Sequence, residues 1–556
     1  MKLRFTAIAL VLCMLLSLFA GCGGSGEAAA PAESSGAAEQ SGGAAASTTT
    51  DEITPEETLV IAAKATPQGI DTSFHNSIES MQAFRNTMDT LLAFPQVQNE
   101  DGEWQQDFSR VEGRLAEKWE RSEDGKTVTF YLRKGVMNQY GNELCAEDVR
   151  WTIERGLALD AVMSFFCTVV AQIYDISQVE VIDNYTVSIT TAEPNPMLET
   201  WACHAFNGIF DSTEAKKHIT ESDPWATEWM ANNACAYGPF IIETWNAGQE
   251  VVFVENPNYW GGKQPIRKVI YKEVPDAANR LALIQSGAVD MVEQLPTRQL
   301  IEAKEIPGVK VHSYDSNVIC HIEMNVEDEI FQNVDVRQAM NYAFPYNEVL
   351  ESVLFGMASQ AKSMNPSTYP DFFGDETWNY STDLAKAKEL LDKAGYPDGF
   401  TFDCYVDAGV DEHIQMLVMF QTNLAKLGVT MNIVQLPTGD FYTQILENKF
   451  PMSIWQDMPG LPDGVFGFAL WAVGSSSINH SNIDDPELND LYMQNVSTLD
   501  PAERSEANLG IQKILIEQAP WIYIAETGWH YTAKENVDGI TWHTLQDIRW
   551  NFVSKK

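Results

Sequence analysis

The chain has 556 residues, 45% apolar and 11% aromatic, enough apolar surface for a globular protein of more than one core. Its net charge of −42 argues against nucleic acid, whose phosphates need a basic surface, and against peripheral binding to anionic lipid. Acidity by itself says nothing about fold.

Lys2 and Arg4 open the chain, and Phe5 to Ala20 is an uncharged apolar run. That run is shorter than the roughly 20 residues a membrane-spanning helix needs, and it fits the apolar region of an export signal. Small residues then lead into a cysteine, Phe19-Ala20-Gly21-Cys22. The pattern resembles the lipobox of bacterial lipoproteins, with Phe19 where leucine is usual. It implies that Cys22 is acylated and begins the mature chain; an ordinary signal peptide cut nearby is the alternative. From Gly23 to about Asp51 the composition is Gly, Ala, Ser, Thr, Glu and Pro with no aromatic residue, too polar to fold. A tether of that length spans roughly 30 Å.

From Leu59 the pattern alternates between strand and helix. Leu59 to Ala63 reads as a strand central in a sheet, and Thr127 to Leu132 alternates as a half-buried strand entered by the turn Glu123-Asp124-Gly125. Glu180 to Thr190 is a strand pair broken at Asp183-Asn184, and Tyr237 to Ile242 with Glu250 to Glu255 an antiparallel pair. Pro275-Asp276 starts a helix with Leu281 and Ile284 on one face, closed by Gly287. Ser381 or Thr382 is expected to cap a helix with the stripe Leu384, Ala387, Leu391 and Ala394, stopped by Gly395 and Pro397. Strands over Phe400–Val406, Val429–Leu436 and Met452–Trp455 then alternate with helices over Asp411–Leu427 and Thr438–Asn448. Such an order predicts α/β layers, a sheet with helices packed on it.

Catalytic chemistry finds little support. The nine histidines are scattered and none sits in H-E-x-x-H; G-x-S-x-G and Walker A sequences are absent. His321-Ile322-Glu323 starts like a zinc deaminase but lacks the P-C-x-x-C that must follow, so strand residues are the reading. No cysteine lies in a C-x-x-C pair, and no metal or cofactor is expected. The six cysteines beyond Cys22 read as buried thiols, although one disulfide is compatible with export.

Several segments in order are similar to family 5 of the bacterial solute-binding proteins, which includes dipeptide, oligopeptide and nickel-chelate binders of ABC importers. They are Leu115-Ala116-Glu117-Lys118-Trp119-Glu120 with Ser122-Glu123-Asp124-Gly125-Lys126-Thr127, Phe130-Tyr131-Leu132-Arg133-Lys134-Gly135-Val136, and Ala146-Glu147-Asp148-Val149. Tyr237-Gly238-Pro239-Phe240, Asn256-Pro257-Asn258-Tyr259-Trp260 and Arg280 to Gly287 follow. Val336 to Ala343 and Ala385 to Leu391 complete the set. These pieces read as scaffold: Gly135 and Gly287 supply backbone freedom, Trp119 and Trp260 large buried areas.

The resemblance implies a two-lobed periplasmic-binding-protein-like clamshell of type II with three subdomains. Its divisions would be a signal peptide at 1–21, an acylated cysteine and linker at 22–55, and a first lobe made of 56–88, 236–306 and 526–556. A small domain would be inserted at 89–235, and the second lobe would be 307–525. It also points to site residues. Trp455-Gln456-Asp457-Met458-Pro459-Gly460-Leu461-Pro462-Asp463 resembles the family's stretch of Trp, an acid, then Pro and Asp, whose first acid pairs with a peptide's α-ammonium. Without a gap that acid falls on Met458, with Asp457 one place early; either the loop shifts and Asp457 holds the ammonium, or Asp457 caps a turn. Phe74 and His75, after the first strand, and Trp471 are the other ligand-binding candidates.

The implied function is an extracytoplasmic receptor, anchored to the cell membrane by lipid, that passes a small solute to ABC permease subunits without turnover. Oligopeptides or dipeptides are the first-choice cargo. A metal chelate or other non-peptide solute, or a ligand-sensing role, are the alternatives.

Overall fold

The computed structural model describes residues 52–75, 77–99, 102–474, 476 and 478–556. The signal and acylation reading, Cys22 included, lies outside the described residues. Among the described residues no helix is long and apolar enough to cross a membrane.

An 11-stranded mixed sheet forms the spine. In spatial order it runs Phe240–Asn246, Glu250–Glu255, Lys268–Glu273, Thr58–Ala63, Met291–Val292, Trp521–Lys534, Val309–Met324, Met452–Asp457, Thr401–Asp407 and Thr430–Leu436, with Ala358–Ser359 paired to the side of Trp521–Lys534. Thr58–Ala63 is flanked by parallel partners on both sides, as its uninterrupted apolar run requires. Two long antiparallel strands, Val309–Met324 and Trp521–Lys534, belong to both halves of the sheet. Their register shifts between Tyr314 and Val318, so the chain bends there and its local twist increases.

A separate four-stranded antiparallel sheet, Ala116–Arg121, Thr127–Leu132, Thr186–Thr190 and Val179–Asp183, packs with the helix Ala146–Leu159. The break at Asp183-Asn184 is the hairpin turn between two of these strands. This unit is tied to the first strand's following loop: Arg155 donates to both carboxylate oxygens of Asp71, to Ser73 Oγ at 3.2 Å and to the Trp225 carbonyl at 3.0 Å. Both ion-pair partners are fully buried.

In the second half, the helices Val334–Ala343, Leu384–Lys393 and Asp411–Ala425 cover one face of the sheet around a core that includes Phe402, Leu417 and Phe420. Asp383, not Ser381 or Thr382, caps the second of these helices, accepting from the amides of Ala385 and Lys386. Thr382 is engaged elsewhere, donating its hydroxyl to the Phe344 carbonyl at 2.6 Å. The tryptophans Trp119 and Trp260 are only half-buried. Trp260 instead lies under the Arg133 guanidinium, 4.9 Å from ring centre, and donates its indole N–H to Asp89 at 3.0 Å. Gly135 and Gly287 do adopt positive φ, 73° each, as element ends demand. The six described cysteines are all free thiols, five of them buried.

Candidate ligand-binding site

The strand Met452–Asp457 runs antiparallel to Val309–Met324, placing Trp455 opposite His321 and Asp457 opposite Ile319. Alternation along this strand sends Trp455 and Asp457 to the same face. Beyond Asp457 the chain leaves the sheet, and the loop 458–465 that follows, up to the helix Phe466–Trp471, is buried throughout. A loop buried on this scale lines something other than solvent.

Two cavities meet at its start. The larger, about 330 Å³, lies between Gln294 and Thr297 on one side and Gly409, Glu412 and Asp457 on the other, with Trp529, His530 and Gln546 closing it. The smaller is an apolar slot of about 20 Å³ between Phe165, Phe166 and Leu545 on one side and Trp455, Phe466 and Ile478 on the other. Asp457 and Met458 line both. The halves touch around these cavities. Thr297 donates its hydroxyl to Glu412 at 2.9 Å, and the Phe166 and Phe466 rings stack with centres 6.3 Å apart. These contacts bring distant parts of the chain together at the cavity walls.

Asp457 is 8% exposed. One carboxylate oxygen accepts the Met458 N–H at 2.7 Å. Burial pushes the carboxyl up to about 7, opposed first by that N–H and then by His321. The Trp471 indole also favours the charged form, without reaching good hydrogen-bond geometry. The carboxyl therefore has little of its own to stay charged with at neutral pH, and a cation in the cavity would supply what is missing. Burial likewise raises Glu412, against the hydrogen bond from Thr297.

The structure brings Trp455, Asp457 and Met458 together at the cavity walls. It does not bring the other candidates there. Asp463 faces away, its carboxylate held by Arg504 and its Oδ1 also accepting from the Val465 amide at 3.1 Å. Trp471 is buried against Gly467 and lines neither cavity. Phe74 is 39% exposed and His75 half-buried over Gly69, and neither lines either of these two cavities. Their loop is pulled toward the small domain by the Asp71–Arg155 pair.

The residues missed from sequence are Gln294, Thr297, Glu412, Gln546 and Phe166. One signal was available for Glu412: the segment after the strand Thr401–Asp407 leaves its carboxyl end, where α/β sheets place ligands. The others come from separate parts of the chain and carry no motif. Among the described residues no group of three or more His, Cys, Asp or Glu is arranged to hold a metal ion.

The profile of bacterial extracellular solute-binding proteins, family 5 middle, matches residues 110–479. The chain belongs to that family. Family 5 proteins bind solutes, and this one is an α/β clamshell of the periplasmic-binding-protein kind. It is 29% identical over 455 residues to heme-binding protein A of Haemophilus influenzae, covering 78% of this chain and 82% of that protein. It is 26% identical over 507 residues to the dipeptide-binding protein of Escherichia coli K12, covering 87% and 92%. Its fold is shared with the dipeptide-binding protein of Pseudoalteromonas sp. SM9913 solved with Met-Leu, at a TM-score of 0.75 and 23% identity, over 90% of this chain and 100% of that one.

Proposed function

We propose that this family 5 protein is the extracytoplasmic receptor of an ABC importer and captures a peptide-class solute by its ammonium group. The observation that carries the cargo reading is Asp457, a carboxyl with one local hydrogen bond, buried at the junction of the larger cavity and an apolar slot. The relatives differ in the cargo of their names, heme for one and dipeptide for another, so the site and not the likeness chooses. An ammonium on Asp457 would place a peptide's first side chain at the mouth of the apolar slot and its backbone along the larger cavity. That slot is narrower than a side chain in the closed state and has to open to admit one.

Closure rather than chemistry is the output. A ligand that touches both lobes shifts the open–closed equilibrium by its difference in affinity for the two states. The assignment of 56–88, 236–306 and 526–556 to one lobe, 89–235 to an inserted domain and 307–525 to the other lobe is part of this proposal. The register shift between Tyr314 and Val318 supports a hinge a few residues inside the last of these boundaries. The membrane link is acylation of Cys22, with the Gly/Ala/Ser-rich stretch behind it as tether.

Native mass spectrometry of the purified protein, with fragmentation of whatever is released, tests the cargo. A peptide recovered intact supports the reading; a metal chelate or heme in the cleft overturns it in favour of non-peptide transport, and a chemically altered ligand revives catalysis. Cys22→Ala should abolish labelling by radioactive palmitate and release the protein from membranes. Unchanged labelling removes the anchor.

A further inference from the structure

The charge around the cleft is one-sided. Asp411, Glu412 and Asp457 line the larger cavity, and no lysine or arginine lines either cavity. Among the cations nearby, none of them in the lining, Lys304 is exposed and its charge reaches His530 at the wall, while Lys64 and Arg280 are engaged. Lys64 sits within reach of the charges of Glu79 and Asp407, and Arg280 donates to the carbonyls of Val274, Pro275, Glu293 and Gln294. The two histidines at the walls, His530 and His480, are held neutral by burial.

The neutral polar groups point to the same partner. Gln294 and Gln546 line the larger cavity, and each has a buried Oε1 with no hydrogen-bond partner. Gln294 spends its Nε2 on Glu79 at 3.0 Å, and Gln546 spends its Nε2 on the Met458 sulfur at 3.3 Å, so both present an acceptor. Gln546 is 1% exposed and holds a left-handed backbone, φ 64°, to keep its place. Within the larger cavity these two orphan acceptors face one orphan donor, the indole N–H of Trp529; a second, that of Trp455, lies beside the slot. Buried acceptors without protein donors take N–H or O–H groups from outside the chain, from water in the empty cleft or from a ligand that displaces it.

We infer that the cargo is a cationic donor with no free carboxylate to be bound: a peptide whose C-terminus is amidated, esterified or cyclised, or a peptide-like amine, rather than a zwitterionic peptide. This rests on the reading that Asp457 holds an ammonium. A free C-terminal carboxylate in the larger cavity would meet two further carboxyls and no lysine or arginine in the lining, in a site where water screens poorly. An amide at the same end would instead donate to Gln294 or Gln546.

Isothermal titration calorimetry at pH 7.5 with trileucine, its C-terminal amide, and the N-acetylated form of each separates the two ends. The amide should bind at least tenfold more tightly than the acid. In Asp411→Asn/Glu412→Gln, which removes the repulsion and keeps the hydrogen bond from Thr297, that preference should fall below threefold. An acid that binds as tightly as the amide, or more tightly, overturns the inference whatever acetylation does. Acetylation without effect, combined with preference for the amide, removes the Asp457 clamp but leaves the charge selection standing. Should no trileucine form bind, hexylamine and hexanoate, which differ only in their charged end, are read the same way. Preference for hexanoate, or binding of neither, overturns it.

Discussion

One nitrogen of the Arg504 guanidinium, Nη2, donates to both carboxylate oxygens of Asp463 at 2.8 Å. The pair joins the loop that follows Asp457 to the helix Pro501–Gln518, so the second acid of the site-like motif is a strut for the first. Replacing Arg504 by alanine leaves the largely buried Asp463 carboxylate unpaired and should cost about 3 kcal/mol of stability. Urea melts read this directly, and the midpoint should fall with the slope unchanged. A variant as stable as the wild type but unable to bind would return Asp463 to the ligand.

Asp457 should couple binding to pH. With the cleft empty and the carboxyl buried as here, burial pushes it up to about 7, and an ammonium beside it lowers that value. Binding at pH 6 therefore releases close to one proton, binding at pH 8 almost none, and affinity weakens as pH falls below 7. Calorimetry in buffers of different ionisation enthalpy measures the proton count. Asp457→Ala should cost about 3–5 kcal/mol, roughly two to four decades of affinity, and abolish the proton release. Proton release that survives the substitution would assign it to another group.

His204 predicts a distinct acid response. It stacks on Phe166 with ring centres 4.2 Å apart, and neither ring nitrogen has a hydrogen-bond partner of good geometry. Burial drives its pKa down to about 3. A base depressed in the folded state binds fewer protons there than in the unfolded chain. Its contribution is present above the unfolded pKa near 6.5 and is lost as pH falls toward 3. Over pH 6.5 to 4 that amounts to about 3 kcal/mol. His204→Leu should change stability by less than about 1.5 kcal/mol at pH 8 and flatten the loss on acidification. Parallel acid-denaturation curves for the two proteins would sink the assignment.

Asn317 stands at the bend of the strand Val309–Met324 and offers its amide N–H₂ to three acceptors: Tyr369 Oη at 2.8 Å, the Pro459 carbonyl at 2.9 Å and the Thr544 carbonyl at 2.9 Å. Pro459 belongs to the loop beyond Asp457, and Thr544 to the C-terminal segment that carries Leu545 and Gln546 to the cavities. One side chain thus latches the two sides of the site beside the hinge. Asn317→Ala should leave the fold intact and shift the ligand-free population open, seen as a larger radius of gyration by small-angle scattering. Affinity should fall about tenfold, a shift of about 1.4 kcal/mol in the closing equilibrium. An unchanged radius with and without ligand would deny the latch.

Much of the architecture was written locally. Apolar runs and alternation placed the strands Thr58–Ala63, Thr127–Leu132, Glu250–Glu255 and Thr430–Leu436 to within a residue or two, because side-chain period and burial are properties of a short window. Gly287 and Gly428 marked helix ends because left-handed backbone there suits glycine, and both adopt positive φ. The helix cap at Asp383 was misplaced by one or two residues, since three neighbouring polar side chains could each do the job and only the Phe344 carbonyl, distant in sequence, claimed Thr382.

The sequence by itself determined the family, the α/β clamshell and the stretch Trp455-Gln456-Asp457-Met458 as a place to look. Only the tertiary structure decided which polar groups there are free. Asp457 and Asp463 are the same residue type six positions apart, but one is consumed by Arg504 and the other is left at a cavity wall. Gln294, Glu412 and Gln546, far apart in sequence, line the same cavity as Asp457. Whether a buried polar group is a strut or a ligand contact depends on which partners reach it, and those partners come from parts of the chain that no local pattern connects.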